Sequence, residues 1–127
     1  MRESQGHDAR PQDQQRPRIE AHGQRFLDRV LTLAEQERAR QFAAPIPFIA
    51  GRWAAKEAIL KMLGTGWRGQ IAWTDMEILP DALGRPVVTL SGECARLAAQ
   101  QGITRVLLSI THTHQTGAAS AIGLTAG

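Results

Sequence analysis

The chain has 127 residues, 43% hydrophobic and 21% charged, enough to pack one domain of ordinary size and too few for two. No stretch approaches the ~20 consecutive apolar residues that cross a bilayer. The polar N-terminus predicts no secretory leader, and the single cysteine, Cys94, leaves no internal disulfide, so the expected setting is a reducing cytoplasm, without a membrane partner. Fifteen Lys and Arg against twelve Asp and Glu give +3, which suits an acidic partner or a phosphate-rich ligand. Aromatics are only 5% and no basic run occurs, so nucleic acid is not expected.

Residues 1–20, MRESQGHDARPQDQQRPRIE, form a compositional block of their own. Few of their side chains are apolar, and on composition they read as a tail whose ordering entropy is not offset by burial. From Gly23 the pattern changes. Phe26, Leu27, Val30, Leu31, Leu33 and Ala34 recur at mixed helical spacings. Thr32 followed by Glu35 has the form of a capping box, so a second helix is expected to start there. Pro45 and Pro47 interrupt the chain. Phe48–Leu63 reads as a central helix stopped by Gly64-Thr65-Gly66. Short β-like runs follow at Gln70–Trp73 and Met76–Leu79, then a turn over residues 80–86 and a strand at Val87–Leu90. Ser91–Gln101 reads as an amphipathic helix containing Cys94, which is thus expected to be a buried or idle thiol. Arg105–Thr111 and Gly117–Leu124 read as strands joined by the loop His112–Thr116. Helices, strands, a helix and strands in that order predict an α+β fold.

Two segments carry candidate chemistry. In the central helix Arg52 and Lys56 lie four residues apart, as do Glu57 and Lys61, so each pair shares a face. The remaining positions are almost all apolar, which predicts a buried helix. A partly buried Glu57 then requires a cationic partner, either Lys61 or a metal ion. The Gly-Thr-Gly that follows permits close backbone approach and adds the Thr65 hydroxyl, but it closes a helix and lacks the spacing of a Walker loop. The second segment is Ser109-Ile110-Thr111-His112-Thr113-His114. Alternation puts Ser109 and Thr111 on one face at a strand end. There, hydroxyls and an imidazole offer either a phosphate-binding edge or a polar turn. Zinc is not expected, because no further Cys or His completes a ligand set.

Gly51–Gly66, GRWAAKEAILKMLGTG, closely resembles the signature of the holo-acyl-carrier-protein synthases, near G-R-[FW]-A-A-K-E-A-x-x-K-x-L-G-T-G. His22–Leu27 resembles that family's H-G-x-R-F-L, Asp75–Ile78 its D-[IM]-E-[IV], Gly84–Pro86 its G-[KR]-P, and Ser109–Thr113 its S-I-[ST]-H-T. The resemblance spans roughly residues 22–124, within a transferase domain taken as 21–127. It implies the small α+β phosphopantetheinyl transferase fold, an antiparallel-rich sheet packed with a long central helix. It also implies transfer of 4′-phosphopantetheine from coenzyme A to a serine of apo-acyl-carrier protein in fatty-acid biosynthesis, and a homotrimer with sites at subunit interfaces. By the same resemblance Glu57 falls on a magnesium ligand and Lys61 on a phosphate contact, which makes these two the catalytic pair. Arg52, Gly64, Thr65, His112 and Thr113 fall on or beside coenzyme A contacts, and Gly84 and Pro86 near the adenine.

The N-terminal block departs from that family. Gly6-His7-Asp8 stands in register with G-[IVT]-D-[IL], whose Asp is the second metal ligand, so Asp8 is matched to it. Its flanks are polar where the family has an apolar strand and helix start, and Gln14 stands at the usual arginine. An alternative expectation is therefore a catalytically impaired relative that still binds coenzyme A or self-assembles.

Overall fold

The computed structural model describes residues 3–11, 23–65, 70–112 and 116–126, with side chains in 23–65, 70–111 and 118–126. Strand β1 is Glu3–Pro11 and helix α1 runs over 23–30. Next come α2 (Leu33–Ala39) and α3 (Ile46–Leu63). A 3-10 turn at Trp73–Asp75 leads into the hairpin of β2 (Met76–Pro80) and β3 (Pro86–Leu90). Helix α4 (Gly92–Gln100), β4 (Ile103–His112) and β5 (Thr116–Thr125) complete the chain. The strands form one antiparallel sheet of order β1-β5-β4 and one two-stranded sheet, β2-β3. This is the expected α+β architecture, with small antiparallel sheets around a long helix.

Each element has a local cause. Thr32 caps α2 in a full capping box: its hydroxyl accepts from Glu35 N at 3.2 Å, and Glu35 Oε1 accepts from Thr32 N at 2.9 Å. Helix α3 is apolar nearly all round, and thirteen of its eighteen residues are buried. It lies against β1, β5 and β4. Gly64 ends it at φ +78°, a left-handed conformation that glycine adopts without steric cost. In the β2–β3 turn Asp81 Oδ1 accepts from Leu83 N at 2.8 Å and Arg85 N at 2.9 Å, and Gly84 supplies the positive φ, +84°. Phe26, Trp53 and Trp73 stack in series through the core, with centroids 5.6 Å and 5.0 Å apart.

Two sequence expectations are corrected. Gln70–Trp73 is not a strand: the chain closes the 3-10 turn instead, with Asp75 Oδ2 accepting from Ala72 N at 3.3 Å and Asp75 N bonding Ala72 O at 2.9 Å. The local Asp outcompetes the weak apolar alternation of the run. At the N-terminus, Glu3–Pro11 is not left without partners, as its composition suggests. It pairs with β5 over nine residues, from Glu3 opposite Leu124 to Pro11 opposite Thr116. Ladder hydrogen bonds come from the main chain, so a polar strand can form wherever a neighbouring strand offers an edge.

Candidate active site

Helix α3 presents different chemistry on its two sides. On one, Arg52 is buried, 9% exposed, and its Nε donates to Ile78 O on β2 at 3.0 Å. Its guanidinium lies over the Phe48 ring at 4.3 Å, Phe48 packs on Phe42 at 5.2 Å, and Arg38 covers Phe42 at 5.3 Å. The result is a stack of two rings between two cations. Burial draws the Arg52 guanidinium below its ordinary value, Glu35 pulls it back up, and Arg38 pushes it down. Arg52 nonetheless stays a cation, as arginine does in proteins. A cleft of about 430 Å3 opens here, between the start of α3 and the hairpin turn. Phe42, Phe48, Arg52, Gly84, Pro86 and Ile110 line it. Three residues singled out in the sequence, Arg52, Gly84 and Pro86, thus meet at one apolar cleft with a cation in its wall.

Glu57 and Lys61 do not line that cleft. An α-helix turns about 100° per residue, so Glu57 lies about 140° round α3 from Arg52 and Lys61 about 180°. Glu57 is half-buried and Lys61 exposed. The shared face expected for this pair therefore exists, and it points away from Arg52. Gly64 is exposed one turn beyond Lys61. The half-buried Thr65 follows with its Oγ1 buried and without a hydrogen-bond partner among the described residues, a polar atom that a ligand can satisfy.

The remaining candidates are placed by backbone. Asp8 sits in β1 opposite Ala119, on a strand that packs against α3. His112 closes β4 opposite Gly117, two residues past Ile110 in the cleft wall. Thr113 lies outside the described residues. Ser109 and Thr111 share the exposed face of β4, while Leu108 and Ile110 turn inward, so the hydroxyls are on the opposite face from the cleft. Cys94 is fully buried and its thiol is pushed up to about 11 by burial, with Asp75 and Glu93 adding to the effect. It is buried, one of the two expected outcomes, and the raised thiol disfavours the reactive thiolate. A larger groove, about 700 Å3, runs between β3 and β4, and Pro86 alone of the candidate residues reaches it.

One feature of α3 carried no separate signal in the sequence. Lys56, beside Glu57, is fully buried. Its Nζ donates to Glu35 Oε1 at 2.7 Å and to Val30 O at 2.6 Å, and Glu35 is fully buried too. Burial lowers the Lys56 ammonium from its ordinary value, and Glu35 opposes that shift by charge and by hydrogen bond. The partners are 21 residues apart, beyond any local periodicity. The hint available was a lysine within an otherwise apolar helix face and a capping glutamate with one oxygen to spare.

Residues 4–117 match the family described as the 4′-phosphopantetheinyl transferase superfamily. The chain is 44% identical over 104 residues to the holo-[acyl-carrier-protein] synthase of Protochlamydia amoebophila, covering 82% of this chain and 83% of that one. The crystal structure of the holo-[acyl-carrier-protein] synthase from Neisseria meningitidis superposes with a TM-score of 0.87 at 32% identity, covering 96% of this chain and 98% of that one. A holo-(acyl-carrier-protein) synthase from Bacillus anthracis, solved in complex with CoA (3′,5′-ADP), superposes with a TM-score of 0.77 at 29% identity, covering 97% and 96%.

Proposed function

The chain belongs to the 4′-phosphopantetheinyl transferase superfamily, and from that premise we propose that it is a holo-acyl-carrier-protein synthase. It transfers 4′-phosphopantetheine from coenzyme A to a serine of an apo-acyl-carrier protein, in the cytoplasm and in the service of fatty-acid synthesis. The observation that carries the reading is the meeting of Arg52, Gly84 and Pro86 at one cleft, with Glu57 and Lys61 on the far side of the same helix. Coenzyme A has an aromatic base, a phosphorylated ribose and a pyrophosphate. An apolar cleft with a fixed arginine suits the nucleotide end, where a guanidinium can grip phosphate oxygens. His112, two residues past Ile110, would extend the grip at the end of β4, Thr113 would join it by the family resemblance, and Gly64 with the buried Thr65 hydroxyl would extend it along α3.

Asp8 and Glu57 are the residues that would hold magnesium. The fit rests on a half-buried carboxylate on an apolar helix and a second carboxylate on the strand packed against it. Magnesium takes one or two carboxylates and completes its shell with substrate phosphates and water. Bound there, the ion would withdraw charge from the pyrophosphate. Lys61 supplies an ammonium where charge builds on the departing phosphate oxygen. Glu57 is the chain's own acceptor for the serine proton. The serine oxygen forms a bond to phosphorus, the pyrophosphate bridge breaks, and adenosine 3′,5′-bisphosphate leaves with the electron pair.

The two sides of α3 also support a homotrimer with shared sites. One coenzyme A cannot readily touch Arg52 and Lys61 of the same helix when they point about 180° apart. A neighbouring copy presenting its own Glu57 and Lys61 to the Arg52 cleft removes the difficulty.

The test is incubation with coenzyme A, magnesium and an apo-acyl-carrier protein, read by intact mass. One phosphopantetheine is expected on the carrier's serine, with an equal amount of bisphosphate released. Absence of both, with a carrier that a known transferase modifies, sinks the reading. Coenzyme A binding without transfer identifies the impaired relative, the second reading that the polar β1 favours. Shared sites have their own test: mixed and reassembled Arg52→Ala and Lys61→Met chains regain part of the activity that each lacks alone. No recovery means that each chain builds its site by itself.

A further inference from the structure

We infer that Glu35, whose carboxylate is anchored by Lys56, is a positioning residue that holds the Arg52 guanidinium in the cleft wall. The inference rests on the coenzyme A reading of that cleft. The two residues belong to a closed ring of hydrogen bonds that leaves α3 and returns to it one turn away. Lys56 Nζ on α3 donates to Glu35 Oε1 on α2 at 2.7 Å. Glu35 Oε2 accepts from Ile78 N on β2 at 2.9 Å. The Ile78 carbonyl accepts from Arg52 Nε, back on α3, at 3.0 Å. Lys56 also ties down the end of α1 through Val30 O at 2.6 Å, and the Thr32 hydroxyl donates to Glu77 Oε2 on β2 at 2.7 Å. The Ile78 peptide is therefore held from both sides, by a carboxylate at its N–H and a guanidinium at its oxygen.

The ring is an expensive way to hold a core together. Two charges taken out of water gain little net stability over a well-packed apolar pair. What an apolar pair cannot supply is direction. The guanidinium is planar, so fixing Nε on Ile78 O and one face on the Phe48 ring leaves it a single orientation. Nε makes the only hydrogen bond of Arg52 among the described residues, so the outer two nitrogens remain available for an anion. Holding a binding group by hydrogen bonds behind it is how a site keeps its geometry before ligand arrives.

The decisive variant is Glu35→Gln. Its oxygen can still serve Lys56 and Thr32 N, but its amide then faces Ile78 N, donor against donor, so the ring opens at Ile78. Adding Lys56→Met frees the side-chain oxygen at position 35 to turn to Ile78 N and closes that link again, the amide now facing Thr32 N at the helix start instead. Two readouts are taken: the Arg52 Nε–H resonance in the free protein, and calorimetric affinity for coenzyme A. E35Q should lose protection of the Nε–H and weaken binding on the order of tenfold, and E35Q/K56M should recover both. Folded E35Q with a protected Nε–H and unchanged affinity overturns the proposal, as does failure of the second substitution to restore either readout. If E35Q does not fold, E35Q/K56M against E35M/K56M asks the same question with both charges gone, since only glutamine keeps an acceptor for Ile78. The Nε–H signal needs no ligand. A wild-type chain that shows it and does not bind coenzyme A therefore overturns the assignment of the cleft and leaves the ring standing.

Discussion

Lys56 and Lys61 stand five residues apart on one helix. Lys56 is fully buried, bonded to Glu35 Oε1 and Val30 O. Lys61 is exposed in the last turn of α3, a turn beyond the half-buried Glu57. The same ammonium is thus part of a buried scaffold on one side of α3 and lies at the surface on the other. The difference comes from what faces each position. Lys56 meets a capping glutamate already held by its own helix start, so the desolvation of both groups is offset by bonds fixed in advance. Lys61 stays at the surface, where the charge is not taken out of water. Substitutions at the two lysines should therefore separate folding from chemistry.

The largest expected effect is at Lys56. Lys56→Met leaves Glu35 charged and buried without its cation, a change that costs about 3–5 kcal/mol. A urea melt should show it as a lower midpoint at an unchanged slope. A loss under about 1 kcal/mol would mean that water or a rearranged side chain reaches Glu35, and the contrast between the lysines would shrink accordingly.

Lys61→Met should do the reverse. Removal of a group that meets developing charge typically costs 10²–10³-fold in kcat, while an exposed position away from packing changes stability by about 0.5 kcal/mol or less. Glu57→Gln should follow the same pattern and also weaken magnesium-dependent binding of coenzyme A. If Lys61→Met instead lowers the melt and spares kcat, the roles assigned to the two sides of α3 are exchanged.

A smaller effect is expected at Thr32, where scaffold and helix start meet. Thr32→Ala removes the hydroxyl that caps Glu35 N and reaches Glu77 Oε2. A lost cap costs about 1 kcal/mol. Thr32→Ser keeps both bonds and should restore most of it, and failure of Ser to do so would assign the loss to the methyl packing instead.

Much of this scaffold was legible in advance, for reasons that can be stated. The capping box at Thr32 and Glu35, the α3 helix with its Gly64 stop and the Asp81–Gly84 turn are local patterns, complete within a few residues. The apolar surround of Glu57 predicted its partial burial correctly. The Glu35–Lys56 bond was not legible, because it joins elements that meet only when α2 and β2 dock on α3. Strand β1 was hidden for the opposite reason. Its side chains are polar and carry no period-two signal, and its order depends on the edge of β5. Arg52, Gly84 and Pro86 could each be named from the family signature, but the cleft joining them required the hairpin to fold back onto α3.

The smallest effect is the most pointed control. Helix α2 carries a second glutamate–cation pair, Glu37 with Arg40 Nη1 at 2.9 Å, close to the 2.7 Å of Glu35 with Lys56. By distance the two look alike. By exposure they do not: the Glu37 and Arg40 side chains are 69% and 61% exposed, and both members of the inner pair are at 0%. In water the attraction of an exposed pair is screened, and its gain is largely cancelled by holding two long side chains still. Glu37→Ala should therefore move the urea midpoint by about 0.5 kcal/mol or less, and added salt should erase even that. A loss comparable to that of Lys56→Met would show that α2 depends on its surface charges as much as on its buried one. The ring through Ile78 would then no longer stand apart as the feature that fixes α2 against the site.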